Sequence, residues 1–186
     1  MAIFLPRSKS RNFDLAPLTF PVVPASLSPS HQAENLLIFG NPGTGKSHLS
    51  TALAREWCLQ GRHIYFATAA ALVQDLLLAK RDLRLNPLLK KLDKFEAIVI
   101  DDISYIPQDR DETDVLFLLI AERYEQRSLV VTSNLPFSEW GHIFKDQVTT
   151  TAAIDRLIHH ASILELNGDS YRSTEAAKRK KKDQNV

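Results

Sequence analysis

Eight consecutive residues, Gly40-Asn41-Pro42-Gly43-Thr44-Gly45-Lys46-Ser47, match the spacing G-x-x-x-x-G-K-[ST] at every fixed position. Glycines let a backbone approach a ligand closely, so that successive N–H groups point at phosphate oxygens. The positive end of a following helix adds to that field. Lys46 can then reach the β- and γ-phosphates of a nucleotide, and Ser47 offers a hydroxyl to a divalent ion. The chemistry expected here is the binding of ATP with Mg2+. Only six glycines occur in the 186 residues, and three of them, Gly40, Gly43 and Gly45, fall in this stretch.

A second chemical element is Asp101-Asp102, which directly follows the apolar run Ala97-Ile98-Val99-Ile100. Asp101 is expected to hold the metal through a water. Asp102 is expected to polarise the attacking water. Aspartate is one methylene shorter than the glutamate common at this place. A reach deficit of about 1 Å can cost on the order of 100-fold in rate, so slow turnover is expected. A third element is Thr132-Ser133-Asn134, at the tip of another apolar run. Ligands bind at the carboxyl ends of parallel strands, which places Asn134 near the γ-phosphate or the water. An asparagine in a turn before proline is the plainer alternative.

These residues need a scaffold. Leu36-Leu37-Ile38-Phe39, His63 to Ala67, Ala97 to Ile100, Leu129 to Thr132 and Ile163 to Leu166 read as five strands. Runs this apolar suit strands covered on both faces. Between them the pattern predicts helices over Ser47 to Gln60, Ala69 to about Arg81, Pro87 to Lys94 and Glu112 to Glu125. Residues 136–144 and 151–160 are also read as helical. Leu49, Leu53 and Trp57 mark one face of the first helix, and Gly61 fits the left-handed position after its end. Val115 to Ala121, seven apolar residues in a row, has no decisive period; Asp111, Glu112 and Asp114 before it favour a helix start. Strand–helix alternation at this spacing predicts an α/β, three-layer P-loop NTPase sandwich with a five-stranded parallel sheet.

Residues 1–34 hold five of the nine prolines, which prevents helix and interior strand there. They are expected to form an extended arm, residues 35–170 the ATPase core and residues 171–186 a basic tail. The net charge of +1 excludes a bulk polycation, so any DNA contact must come from local clusters. Two clusters qualify: Lys80, Arg81, Arg84, Lys90, Lys91 and Lys94 within 80–94, and Lys178, Arg179, Lys180, Lys181 and Lys182 within 178–182. No aromatics interleave with them, so phosphate contact to duplex is expected rather than base stacking. For five tail charges the log–log salt slope would be near about −4.5. The single cysteine, Cys58, reads as a packed thiol. No apolar run approaches the ~20 residues of a membrane span, and the expected location is cytoplasmic.

The chain resembles the AAA+ ATPases of the IstB-like class, transposition helpers related to the DnaC helicase loaders. The resemblance runs from about Asn35 to Arg172. It is carried by the phosphate loop, by Ile100-Asp101-Asp102-Ile103-Ser104-Tyr105-Ile106-Pro107, by Ala121-Glu122-Arg123-Tyr124-Glu125 and by Thr132-Ser133-Asn134-Leu135-Pro136. Glu139-Trp140, Ala153 to His160 and Ser170-Tyr171-Arg172 add to it. The resemblance implies that Asn134 is the sensor-1 residue. It implies that Arg156 is an arginine finger acting on a nucleotide held by a neighbouring subunit, in a homo-oligomer formed with ATP. It also implies a transposase and DNA as partners. A helical N-terminal region and a clear C-terminal lid, with its sensor-2 arginine, are not expected from this sequence. Three other readings stay open: a helicase-loader-like ATPase, a remnant that only binds nucleotide, and a small-molecule kinase. The acid pair and Asn134 favour water as acceptor over the last.

Overall fold

The computed structural model describes residues 33–105, 110–144, 147–168 and 170–171. The expected arm (up to residue 32), the tail cluster 178–182, residues 106–109 and Arg172 lie outside the described residues.

Five parallel strands form one sheet: β1 (Asn35–Gly40), β2 (Ile64–Thr68), β3 (Ala97–Asp101), β4 (Ser128–Ser133) and β5 (Ala161–Leu166), in the order β2-β3-β4-β1-β5. The three interior strands, β3, β4 and β1, are buried over most of their length, because each is covered on both faces. Side chains alternate across the sheet. Leu37, Ile98, Ile100 and Val131 enter one core, while Leu36, Ile38, Val99 and Val130 enter the other. The first core is closed by α2 (Ala69–Arg81), α3 (Leu85–Leu92), α4 (Arg110–Arg123) and α5 (Gln147–Ile158). Among the described residues the second is closed by α1 (Lys46–Leu59), through Leu53, Ala54 and the fully buried Trp57. This is the expected three-layer α/β sandwich.

Several boundaries differ from the sequence expectation. Helix α5 begins at Gln147, not 151. Its first turns contain Thr149, Thr150 and Thr151, whose β-branched side chains are poor helix formers. Local side-chain bonds to backbone accompany this: Thr150 Oγ1 donates to the Phe144 carbonyl at 3.2 Å and Thr151 Oγ1 to the Gln147 carbonyl at 2.8 Å. The helix ends at Ile158, before His159 and His160. The stretch at 136–144 is a 3-10 helix, Phe137–His142, seated on the core by the buried Trp140, whose indole N–H donates to the Leu135 carbonyl at 3.1 Å. Helix α4 ends at Arg123 and a left-handed Glu125 (φ 57°) turns the chain into β4. Pro87 lies in the first turn of α3, where its missing N–H has no intrahelical partner to lose. Among the described residues, no helix is long and apolar enough to cross a membrane.

Candidate functional site

Strand β4 lies between β3 and β1, so the carboxyl ends of three strands stand side by side. Phe39 of β1 is level with Ser133, and Ile100 of β3 is level with Val131. The loop leaving β1, the acid pair leaving β3 and the polar tip of β4 therefore share one edge.

The loop folds back into α1. Gly45 caps the helix at φ 101°, a left-handed value that a side chain resists, and Leu49 N–H closes the first turn on the Gly45 carbonyl at 2.9 Å. Thr44 Oγ1 donates to the Asn41 carbonyl at 2.9 Å. The Lys46 ammonium donates to the carbonyls of Gly40 and Asn41 at 2.8 and 3.0 Å, and the side chain is 5% exposed. A long cation is thus held across its own loop. Asn41, Pro42 and Ser47 are exposed, Gly43 and Thr44 half-buried. The loop's other side is closed by the segment after β5. Tyr171 N–H donates to the Gly43 carbonyl at 3.1 Å, and a Cβ added to Gly43 would stand 2.1 Å from Ser170 Oγ.

Beyond β4 the acids are wired together. Thr132 is fully buried; its Oγ1 donates to Asp101 Oδ1 at 2.9 Å and accepts the Asp102 N–H at 2.7 Å. Asp102 adopts φ 59°, a left-handed conformation that aspartate tolerates better than most residues. Its Oδ2 accepts from Asn134 Nδ2 at 2.6 Å, and its Oδ1 from Ser104 N–H at 3.2 Å. Ser104 Oγ accepts the Asn134 N–H at 2.8 Å and lies 3.2 Å from Ser133 Oγ. A carboxylate at 2.6 Å from an amide is a short, charge-assisted contact. Asp102 and Asn134 thus form one unit across two strands.

The residues suit a metal-bound triphosphate. Gly43 and Gly45 hold left-handed angles that let the backbone fold back on itself, α1 presents its N-terminus, and Ser47 and Asp101 carry oxygens of the kind that magnesium prefers.

The structure does not bring Arg156 to this edge. Asn35, the first residue of β1, donates its Nδ2 to the carbonyls of Arg156 (3.5 Å) and Leu157 (3.1 Å). About 17 Å of strand separates that point from Gly40. The Arg156 guanidinium donates to the Ala152 carbonyl at 2.9 Å and lies over the rings of Phe117 (5.2 Å) and Tyr124 (6.0 Å). It lines an open surface pocket of about 550 Å³ with Tyr124, Gln147, Val148, Thr151, Ala152 and Asp155. Sequence reasoning passed over the connecting roles of Thr132 and Ser104 and the contact of Ser170 and Tyr171 with Gly43. The D-x-S spacing of Asp102 and Ser104, typical of a side chain bonding the backbone two residues on, was the available signal.

The parallel sheet in this strand order, with a phosphate loop leaving the interior strand β1, defines a P-loop NTPase of the AAA+ type. The fold is shared with the crystal structure of DnaI, at TM-score 0.63 and 21% identity over 73% of this chain and 74% of that one. The model of the IstB-like ATP-binding protein family matches residues 23–180, and the chain belongs to that family. An insertion-sequence ATP-binding protein of Sinorhizobium fredii is 46% identical over 79% of this chain and 49% of its own length. One of the insertion sequence IS21 of Pseudomonas aeruginosa is 38% identical over 83% and 58%. The chain therefore spans about half the length of these curated relatives.

Proposed function

We propose that this chain is an ATP-hydrolysing helper of DNA transposition that assembles on duplex DNA with ATP and acts with a transposase. The observation that carries the reading is the Asp102–Asn134 pair, set beside the phosphate loop at the tips of β3 and β4. In this reading the 40–47 loop and Lys46 bind the triphosphate, and Ser47 and Asp101 hold Mg2+. Asp102 polarises the water and Asn134 orients it, through their shared hydrogen bond. Bound there, the ion would neutralise charge developing on the phosphates, and the residues supply position and proton acceptance.

Arg156 serves a neighbouring copy. Its place at the opposite end of the sheet supports a role outside its own site, and an arginine supplied from outside can be worth ~10³–10⁵ in rate. Activity then depends on assembly. Insertion-sequence relatives support the transposase as partner.

For DNA, the cluster around α2 and α3 is unequal. Lys80 is paired with Asp111 at 2.8 Å and Arg84 with Asp82, whereas Arg81, Lys90, Lys91 and Lys94 are exposed. Four phosphate contacts through these would give a log–log salt slope of about −3.6. The 178–182 tail would add to it.

Sedimentation of the protein with duplex DNA, with and without Mg·ATP, tests the reading. ATP-dependent assembly is expected. Arg156→Ala should suppress hydrolysis sharply and leave nucleotide binding intact. Hydrolysis by a monomer, unaffected by Arg156→Ala, would remove the assembly from the proposal.

A further inference from the structure

At the end of the sheet remote from the phosphate loop, two turns meet. One follows α4 and carries Glu125; the other follows α5 and carries His159 and His160. A carboxylate oxygen of Glu125 and one ring nitrogen of each histidine lie within 4.8 Å of one another. The Glu125 Oε1 to His159 Nδ1 distance is 3.6 Å, and the two imidazole rings are 4.0 Å apart.

Neighbouring side chains on a helix point about 100° apart. Two consecutive histidines lie side by side here because the chain has left the helix before them, at Ile158, with His160 at φ 58°. Glu125 reaches them from a similar left-handed position at φ 57°. Both turns are held from below. The His160 carbonyl accepts the Asn35 N–H at 3.0 Å, and the carbonyl of the buried Arg123 accepts from Gln126 N–H and Arg127 N–H at 3.0 Å each. The three side chains thus project from a fixed platform, as a preformed ligand set requires.

We propose that Glu125, His159 and His160 bind a divalent transition-metal ion of the zinc class. Two imidazoles and a carboxylate suit zinc, cobalt or nickel better than magnesium or calcium, which prefer oxygen alone. Tetrahedral zinc needs ligand atoms roughly 3.3 Å apart, a contraction that exposed side chains reach by small rotations. All three side chains are exposed. The fourth position is open to water or to a group from another molecule. Tyr124 Oη stands 2.8 Å from His159 Nδ1. It is displaced where the metal takes that nitrogen, and it orients the ring where the metal takes Nε2. A bound ion would tie the turn after α4 to the turn before β5, next to the helix turn that carries Arg156.

The test is calorimetric titration of the full chain with Zn2+, in millimolar Mg2+ to occupy oxygen sites, paired with Co2+ absorption spectra. One equivalent of zinc should bind, with intense visible cobalt bands that mark tetrahedral geometry. His160→Ala and Glu125→Gln should each weaken binding at least tenfold, and His159→Ala with His160→Ala should abolish it. ATP affinity should not change in any of them. Zinc should also raise the melting temperature of the parent chain and not that of the double variant. The absence of a one-to-one complex overturns the proposal, and so does a complex that all three variants retain, which would place the ion elsewhere.

Discussion

The two ends of the same sheet use polar side chains in opposite ways. At the carboxyl end, side chains bond to each other and to a glycine loop: Asp102 to Asn134, Asp101 to Thr132, Ser104 to Ser133. At the amino end the buried polar side chains of Arg123 and Asn35 bond to backbone. Arg123, 2% exposed, donates to the carbonyls of Leu92, Phe95, Glu96 and Ser128 at 3.0–3.5 Å. Asn35 accepts the Leu129 N–H at 2.8 Å and donates to the end of α5. Backbone partners do not move independently, so the amino end is a clamp. Side-chain partners can be exchanged for ligand atoms, so the carboxyl end can respond to a nucleotide.

Burial lowers the Arg123 pKa to about 10, with Arg127 adding to the effect and Asp93 opposing it. A desolvated guanidinium held only by carbonyls is tolerable because four acceptors face it. Removing it takes a donor from each of these carbonyls, although Leu92 and Glu96 still accept the N–H groups of Phe95 and Ser128. Arg123→Ala should therefore destabilise the chain by about 3 kcal/mol or more, read as a fall in the urea midpoint. The nucleotide affinity of the folded fraction should be unchanged; an equal loss of affinity would dissolve the distinction between the two ends.

Asp102→Asn tests the other end. Hydrolysis should fall on the order of 100-fold, with ATP retained and the melting temperature within a few degrees of the parent. A large stability loss instead would make the Asp102–Asn134 pair a second clamp. Gly43→Ala should reduce nucleotide affinity and destabilise by about 1–2 kcal/mol, since Gly43 sits at φ 88° with Ser170 against it. Adding Ser170→Gly should restore part of that loss; no recovery would mean the backbone angle alone decides. The smallest effect is expected at Tyr65, near the amino end of β2 and against Phe95. Burial, helped by Asp75, raises its pKa above 10. The folded chain then holds a proton that the unfolded chain releases, so stability present below pH 10 is lost as pH rises through the folded value. Tyr65→Phe should flatten the alkaline limb of melting temperature against pH. An unchanged limb would assign it to other groups.

The phosphate loop, the acid pair and Asn134 could be read before any fold was known, since each is a short string at the end of an apolar run. Arg123 could not. Its neighbours Leu92, Phe95, Glu96 and Ser128 come from other elements, and a lone arginine in the last turn of a helix reads as a surface residue. The histidine cluster was equally hidden, because the reading carried α5 through His160 and so would have splayed the two rings.

By itself, then, the sequence determined which residues could hold a triphosphate and which segments would be strands, because glycine spacing and apolar runs act through local geometry. Tertiary structure alone decided that β4 runs between β1 and β3, and hence that Asn134 bonds Asp102 while Arg156 lies at the far end of the sheet. Strand order follows from how helices pack over both faces, an energy summed over distant residues that no local pattern records.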